Sequence, residues 1–103
     1  MQKEIEAFKH SGHFHPDVIN DIIQFYQKTN QETKALEFYH MLADSKGFEG
    51  KGSVIEACAY LGRHFMKSNN AEARKYLWRS IIYAKQANYD NKYIEERIRE
   101  MDQ

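Results

Sequence analysis

Residues 58–77 read CAYLGRHFMKSNNAEARKYL, and this stretch decides the fold. Bulky residues recur at helical spacing on both sides of Ser68-Asn69-Asn70, a group that ends one helix and can cap the next. Small residues stand among the bulky ones: Gly62 in the first helix and Ala73, four residues before Leu77, in the second. Two antiparallel helices approach closely where a small residue faces a large one. The stretch therefore predicts a helical hairpin with a tight interface.

A second hairpin of the same design lies upstream. Its first helix carries Ile19, Ile22, Ile23 and Tyr26, and its second carries Ala35 and Tyr39. The two pairs superpose with an offset of 38–39 residues, because Cys58 follows Ile19 by 39 and Ala73 follows Ala35 by 38. An offset of this size indicates an internal repeat of helix pairs.

The second pair resembles the tetratricopeptide repeat. It reads Cys58-x2-Leu61-Gly62-x2-Phe65 and then Ala73-x3-Leu77, against a family pattern of a large residue, Leu-Gly and an aromatic, followed by Ala-x3-aromatic. Ile23 replaces the glycine in the first pair, both pairs lack the terminal proline, and the glycine-rich connection lengthens the period. The resemblance covers about residues 16–87 and implies an all-α fold, a short α-solenoid of stacked antiparallel helix pairs.

Turn and cap signals set the predicted bounds. Repeat one spans about 16–45, with helices at about 16–28 and 31–45, and Pro16 suits the first turn. Lys46–Gly52 is the clearest loop. Repeat two spans about 53–87: a capping box of Ser53 and Glu56 opens its first helix, about 53–67, and Asn70 caps its second. A capping helix covers about 90–102, a short helical segment lies at 5–8, and residues 1–103 form one domain.

The two C-terminal helices differ in their apolar surface. The helix after Asn70 carries Tyr76, Leu77, Trp78, Ile81, Ile82 and Tyr83, which predicts that other helices cover it on several sides. The last helix is amphipathic. It is predicted to turn Ile94, Ile98 and Met101 inward and Glu95, Glu96, Arg97, Arg99 and Glu100 outward, as a terminal cap does.

The bulk composition excludes several classes of partner. Fifteen basic residues balance fifteen acidic ones, whereas binders of duplex nucleic acid carry a basic excess. No apolar run approaches the roughly 20 residues that span a bilayer, and the N-terminus lacks the apolar core of a signal peptide. A single cysteine fits a reducing compartment. We therefore expect a cytoplasmic protein that binds neither nucleic acid nor membrane.

The resemblance implies a concave groove lined by the first helix of each pair. Counting around those helices assigns Ile19, Ile22, Tyr26, Leu61 and Phe65 to the core. The predicted groove residues are Asp17, Asn20, Asp21, Gln24, Gln27, Lys28, Glu56, Tyr60, Arg63 and Lys67. Charged and amide side chains with one tyrosine suit an extended or helical peptide; the alternative is that they form two solvated helix faces. The family's basic clamp for a peptide carboxylate has no match here, because the first pair offers acids and amides.

Other candidate sites are weaker. His10, His13 and His15 lie within six residues, and His40 and His64 could join them, but a zinc site needs fixed geometry and usually Cys, Asp or Glu as well. Cys58 occupies a position for a buried bulky residue. The basic and aromatic run 74–79 resembles single-strand nucleic-acid binders, yet its side chains point in different directions on a helix. We predict no catalytic residue, no metal and no cofactor.

The sequence thus predicts a non-enzymatic module that binds a protein or peptide through the groove or an aromatic patch, as an adaptor, a chaperone-like or an immunity-like protein. Because about three repeats are normally needed for a stable stack, self-association into a homo-oligomer is also expected. The alternative is a structural or oligomerisation domain without an external ligand, and a histidine-based metal site is the weaker third hypothesis.

Overall fold

A computed structural model describes residues 15–101 of the chain. The regular structure within this range is helical, with no strand. The helices are α1 (Pro16–Lys28), α2 (Glu32–Ala43), α3 (Gly52–Phe65), α4 (Asn70–Gln86) and α5 (Asn91–Met101). The predicted helical fold is confirmed for this range, and the segment predicted at 5–8 lies outside the described residues. No helix in the described range has the length and apolar character that crossing a membrane requires.

Local side chains explain where most helices begin. Pro16 occupies the first turn of α1, as predicted, and the His15 ring accepts a hydrogen bond from the Asp17 backbone N–H at 3.2 Å. Asn69 caps α4 by accepting from the Glu72 N–H at 3.2 Å, so the predicted cap is displaced by one residue from Asn70. Asp90 accepts from the Tyr93 N–H at 3.0 Å at the start of α5.

The predicted capping box of Ser53 and Glu56 is wrong. Helix α3 begins at Gly52, and Lys51 stands at the cap position without a side-chain cap bond. Ser53 is therefore already inside the helix, and Glu56 reaches α5 instead of the α3 terminus. The upstream turn at Phe48–Lys51, closed by a backbone bond of 3.0 Å, delivers the chain into α3 one residue earlier than the sequence pattern indicates.

Each helix packs on the helix that follows it in the chain. The contacts run α1 to α2, α2 to α3, α3 to α4 and α4 to α5, with a smaller contact between α1 and α3. The larger core cluster joins the first pair to α3, and the smaller one joins α3, α4 and α5 through Ile55, Leu77, Ile81, Ala84, Ile94 and Met101. Of the predicted core, Ile19, Ile22, Tyr26 and Leu61 are buried, while Phe65 is half-buried.

The close approach predicted within the second pair is present. A Cβ atom built on Gly62 would lie 2.5 Å from Leu77 Cγ and 3.2 Å from the Ala73 carbonyl oxygen. Leu77 and Ala73 are themselves almost fully buried. Any side chain at Gly62 would therefore force α3 and α4 apart.

Both predictions about the C-terminal helices hold only in part, and α4 is covered by α3 and α5, as predicted. In α4, Trp78 and Ile82 are each 49% exposed, because no described helix packs on that side. In α5, the predicted outward Arg97 is 8% exposed and the predicted inward Ile98 is 38% exposed. The neighbouring helices explain the exchange: α5 packs on α4 and also contacts α3 through Tyr93 and Glu100, and Arg97 lies on the same face as these two residues.

Candidate partner-binding surfaces

The predicted groove residues divide into two groups of five. Asp17, Gln27, Glu56, Tyr60 and Arg63 join one helix to another through hydrogen bonds or ion pairs. Asn20, Asp21, Gln24, Lys28 and Lys67 make no side-chain hydrogen bond or ion pair within residues 15–101, and all but the half-buried Asn20 are exposed. Half of the predicted groove residues therefore already have partners within the described structure.

Tyr60 illustrates the first group. Its ring stacks on that of Tyr39 in α2, with centroids 3.9 Å apart and planes 12° apart. The Tyr60 hydroxyl donates to Glu32 at 3.2 Å, and the Gln27 amide donates to the Tyr39 hydroxyl at 2.9 Å. Burial, and then the nearby Glu32 charge, raise the pKa of Tyr60 to about 12. These contacts fix Tyr60 at the junction of α1, α2 and α3.

Helix α5 occupies the other side of α3 in the same way. The Tyr93 hydroxyl donates to Glu56 at 3.0 Å, and burial with the Glu56 charge raises the pKa of Tyr93 to about 12. Arg63 pairs with Glu100 at 3.3 Å, and Arg97 pairs with the same carboxylate at 2.8 Å. The sequence missed this network because Glu56 and Arg63 lie on a helix face that also meets α5.

The large apolar side chains exposed within the described range are Trp78, Ile82 and Ile98, which we name the α4–α5 patch. Sequence analysis noted all three residues but assigned them to buried faces. The sequence does contain a signal for the patch, because apolar residues occur on every side of α4. A chain with few helices cannot cover such a helix completely.

The contacts of α4 and α5 place these three side chains on one side. On α4, Tyr76 bonds to His40 at 3.0 Å and Arg79 to Asp44 at 2.7 Å, so that face meets α2. Around α4, Trp78 lies about 160° from Tyr76, whereas Ile82 lies about 120° from Tyr76 and about 60° from Arg79. On α5, Tyr93 meets α3, and Ile98 lies away from it. Trp78 and Ile98 therefore face away from α2 and α3, and Ile82 lies between Trp78 and the flank of α4 that carries Arg79.

The register of the two antiparallel helices brings the patch residues together. The turn at 87–90 joins α4 to α5, and the shared core cluster contains Leu77 and Ala84 of α4 with Ile94 and Met101 of α5. Counting away from the turn on both helices places Ile98 level with a point between Trp78 and Ile82. Trp78 and Ile98 therefore border the groove between the two helices, and Ile82 lies about 40° beyond Trp78 around α4, on the side away from α5.

The rim of this groove on α4 is basic. Arg74 and Lys85 are exposed on the same side of the helix as the patch, and neither has an acidic partner within residues 15–101. On the α5 rim, Arg99 lies 3.9 Å from Glu95, so that the opposite charges there offset each other. The net charge beside Trp78 and Ile82 is therefore positive.

A polar cavity of about 350 Å³ lies at the end of α2. Its lining consists of Asp44, Ser45, Lys46, Glu49, Arg79 and Tyr83. The Asp44 carboxylate is already paired with Arg79 at 2.7 Å, and Glu49 accepts from the Gly47 N–H at 3.2 Å. Because its charged groups largely satisfy one another, the cavity offers a ligand little unpaired charge.

The remaining candidates are placed as follows. Cys58 is fully buried, as predicted, and burial raises the pKa of its thiol to about 12, which leaves little thiolate for chemistry. His15 caps α1, and His40 bonds to Tyr76. No cluster of three metal-ligating side chains occurs within residues 15–101, whereas His10 and His13 lie outside that range. In the run 74–79, Tyr76 and Leu77 are buried and Trp78 is exposed.

Comparison of the chain with protein-family models, with curated proteins and with solved structures found no match. The tetratricopeptide resemblance therefore stays a prediction.

Proposed function

We propose that this chain is a non-enzymatic module that binds another protein, and that the α4–α5 patch is its main binding surface. The main support for this proposal is that Trp78, Ile82 and Ile98 are exposed on one side of two packed helices. Tryptophan is strongly enriched among the residues that dominate binding energy at interfaces. An exposed cluster of large apolar side chains on a small protein commonly marks an interaction site.

We also propose that the helices form two tetratricopeptide-like pairs, α1–α2 and α3–α4, with α5 as the capping helix that follows them. Two observations support this arrangement: the succession of helix contacts along the chain, and the close approach at Gly62. The family's concave surface corresponds here to the faces of α1, α3 and α5. Its unbonded residues, such as Asp21, Gln24 and Lys28, make it a second and weaker binding surface.

The test is affinity capture from an extract of the native cell with paired variants. Trp78→Ala/Ile82→Ser removes the apolar groups of the patch. Because both side chains are half exposed, we expect this variant to lower the free energy of unfolding by about 1–3 kcal/mol. Asp21→Ala/Gln24→Ala alters the groove by the same number of exposed residues and serves as the matched control.

We expect the wild type and the groove variant to capture one protein in stoichiometric amount. The patch variant should lose this protein. Loss with the groove variant alone would move the binding surface to α1 and α3. Recovery of only further copies of the chain would instead favour the structural or oligomerisation domain.

A further inference from the structure

One more helix would pack in the open groove between α4 and α5. In the described structure, α3 packs against both α2 and α4, whereas α5 packs mainly on α4 and touches α3 through side-chain contacts such as Tyr93 with Glu56. Ile94 and Met101 of α5 are the most exposed members of the core, at 8% and 9%. The apolar surface of α5 is therefore the least completely covered.

We propose, building on the binding function above, that the α4–α5 patch receives an amphipathic helix of a partner protein, with acidic side chains at both ends of its apolar stripe. An amphipathic helix presents apolar side chains at positions i, i+3, i+4 and i+7, which fit a groove between two helices. Trp78, Ile82 and Ile98 would contact this stripe. The partner helix would thus pack against α4 and α5 together.

The acidic side chains proposed for the partner helix follow from the positive charges beside the patch. Arg74 and Lys85 stand on either side of Trp78 and Ile82 along α4 and are separated by 11 residues, which is about 16 Å of helix. Both are exposed and lack an acidic partner in the described range. A partner helix with carboxylates about three turns apart pairs with both cations while its apolar side chains cover the patch.

A second copy of the chain is a poor occupant. If two α4 helices met symmetrically and antiparallel through Trp78 and Ile82, Lys85 of one copy would lie level with Lys75 of the other. A parallel arrangement would place Arg74 against Arg74. Both arrangements bring like charges together, which disfavours association.

An anionic membrane surface is also disfavoured. Interfacial helices insert a broad apolar face into the lipid. Most of the apolar residues of α4 are buried against the other helices, among them Tyr76, Leu77 and Ile81, and the exposed large apolar side chains of this helix are Trp78 and Ile82.

The test uses Trp78 as a reporter, because it is the only tryptophan in the chain. Three synthetic peptides of about 15 residues share one apolar helical stripe of roughly three turns. They carry Glu, Gln or Lys at two flanking positions that match the spacing of Arg74 and Lys85. Titration of each peptide into the full chain is followed by the emission wavelength of Trp78.

We expect the Glu peptide to shift the emission to the blue and to bind at least about tenfold more tightly than the Lys peptide, as two rim ion pairs allow. Arg74→Glu/Lys85→Glu should reverse this preference. Lys28→Glu/Lys67→Glu makes the same change in net charge on the other surface and should leave the preference unchanged.

Equal binding of the Glu and Lys peptides would overturn the acidic partner but leave the proposed binding function standing. A blue shift on raising the protein concentration alone, with a doubled mass in light scattering, would assign the patch to a second copy. A shift with phosphatidylserine vesicles but with none of the peptides would assign it to a lipid surface. If no probe shifts the emission, the proposed helix site is wrong, and the capture experiment decides the function independently.

Discussion

At the scale of single residues, Gly62 sets the distance between α3 and α4. The hydrogen in place of its side chain leaves room for Leu77, whose Cγ would lie only 2.5 Å from an added Cβ. Leu77 is fully buried and belongs to the cluster that joins α3, α4 and α5. A displacement here would therefore be transmitted to the α4–α5 patch.

We predict that Gly62→Ala lowers the free energy of unfolding by about 1–3 kcal/mol, because the methyl group overpacks the interface. This loss is expected despite the gain of about 0.5–1 kcal/mol that alanine brings to a helix interior. Urea unfolding followed by circular dichroism measures the change. Gly50→Ala is the control, since its Cβ would lie 3.9 Å from the Ala87 Cβ, an ordinary contact; an equal or stabilising effect at Gly62 would contradict the prediction.

Residue types alone predicted several positions correctly. Gly62, Ala73 and Leu77 follow from the rule that a small residue must face a large one, and Cys58 follows from its place on an apolar face. Phe65 is only half-buried, because it lies in the last turn of α3, where the neighbouring helices no longer cover it on every side. Position within an element therefore limits what a residue type can predict.

At the scale of the elements, the start of α4 gives a direct test of the capping residue. Asn69 accepts the Glu72 N–H, whereas Asn70 is already inside the helix. We predict that Asn69→Ala costs about 1 kcal/mol of stability and that Asn70→Ala, its matched control, costs less. Thermal unfolding monitored at the helical signal compares the two. A larger loss with Asn70→Ala would restore the cap that the sequence suggested.

Element bounds follow from the sequence more readily than the inward face of a terminal helix. The spacing in α5 is compatible with either Arg97 or Ile98 facing inward, because adjacent positions lie only about 100° apart. Contacts with α3 determine which side of α5 faces inward. The Tyr93 hydroxyl donates to Glu56 of α3, and Glu100 pairs with Arg63 of α3. Arg97 lies over the Tyr93 ring at 4.7 Å and pairs with Glu100, a three-dimensional arrangement that helical spacing does not contain.

At the scale of the whole molecule, buried hydroxyl and thiol groups make stability depend on alkaline pH. The pKa values of Cys58, Tyr60 and Tyr93 are each raised to about 12, with burial as the first cause. In the unfolded chain these groups lose their protons earlier, near pH 8.5 for the thiol and 10 for the phenols. The free energy of unfolding therefore falls as the pH rises above about 8.5.

We predict that the urea midpoint is constant from about pH 7 to 8 and falls between about pH 8.5 and 12. Tyr60→Phe/Tyr93→Phe should weaken the part of the decline above about pH 10, because the two phenols no longer ionise on unfolding. Measurement of the midpoint across this range in both proteins provides the comparison. An unchanged midpoint up to about pH 11 would contradict the assignment.

The candidate site was harder to predict than the fold. The groove prediction counted outward faces of α1 and α3 separately, and the structure shows that Gln27, Glu56, Tyr60 and Arg63 bond to other helices. The α4–α5 patch depends on which helices are missing from one side of the molecule. Sequence periodicity identifies an apolar face, but only the assembled helices show whether anything covers it.

Cys58 lies where the two helix pairs meet, with its Sγ 4.0 Å from the Ala43 carbonyl oxygen of α2. A maleimide cannot reach this sulfur while α2 and α3 are in contact, since the residue has no exposed surface. Alkylation therefore requires the structure around Cys58 to open, and its rate relative to that of a free thiol gives the equilibrium constant for this opening. The Cys58 thiol thus serves as a built-in chemical probe of local opening at the contact between α2 and α3.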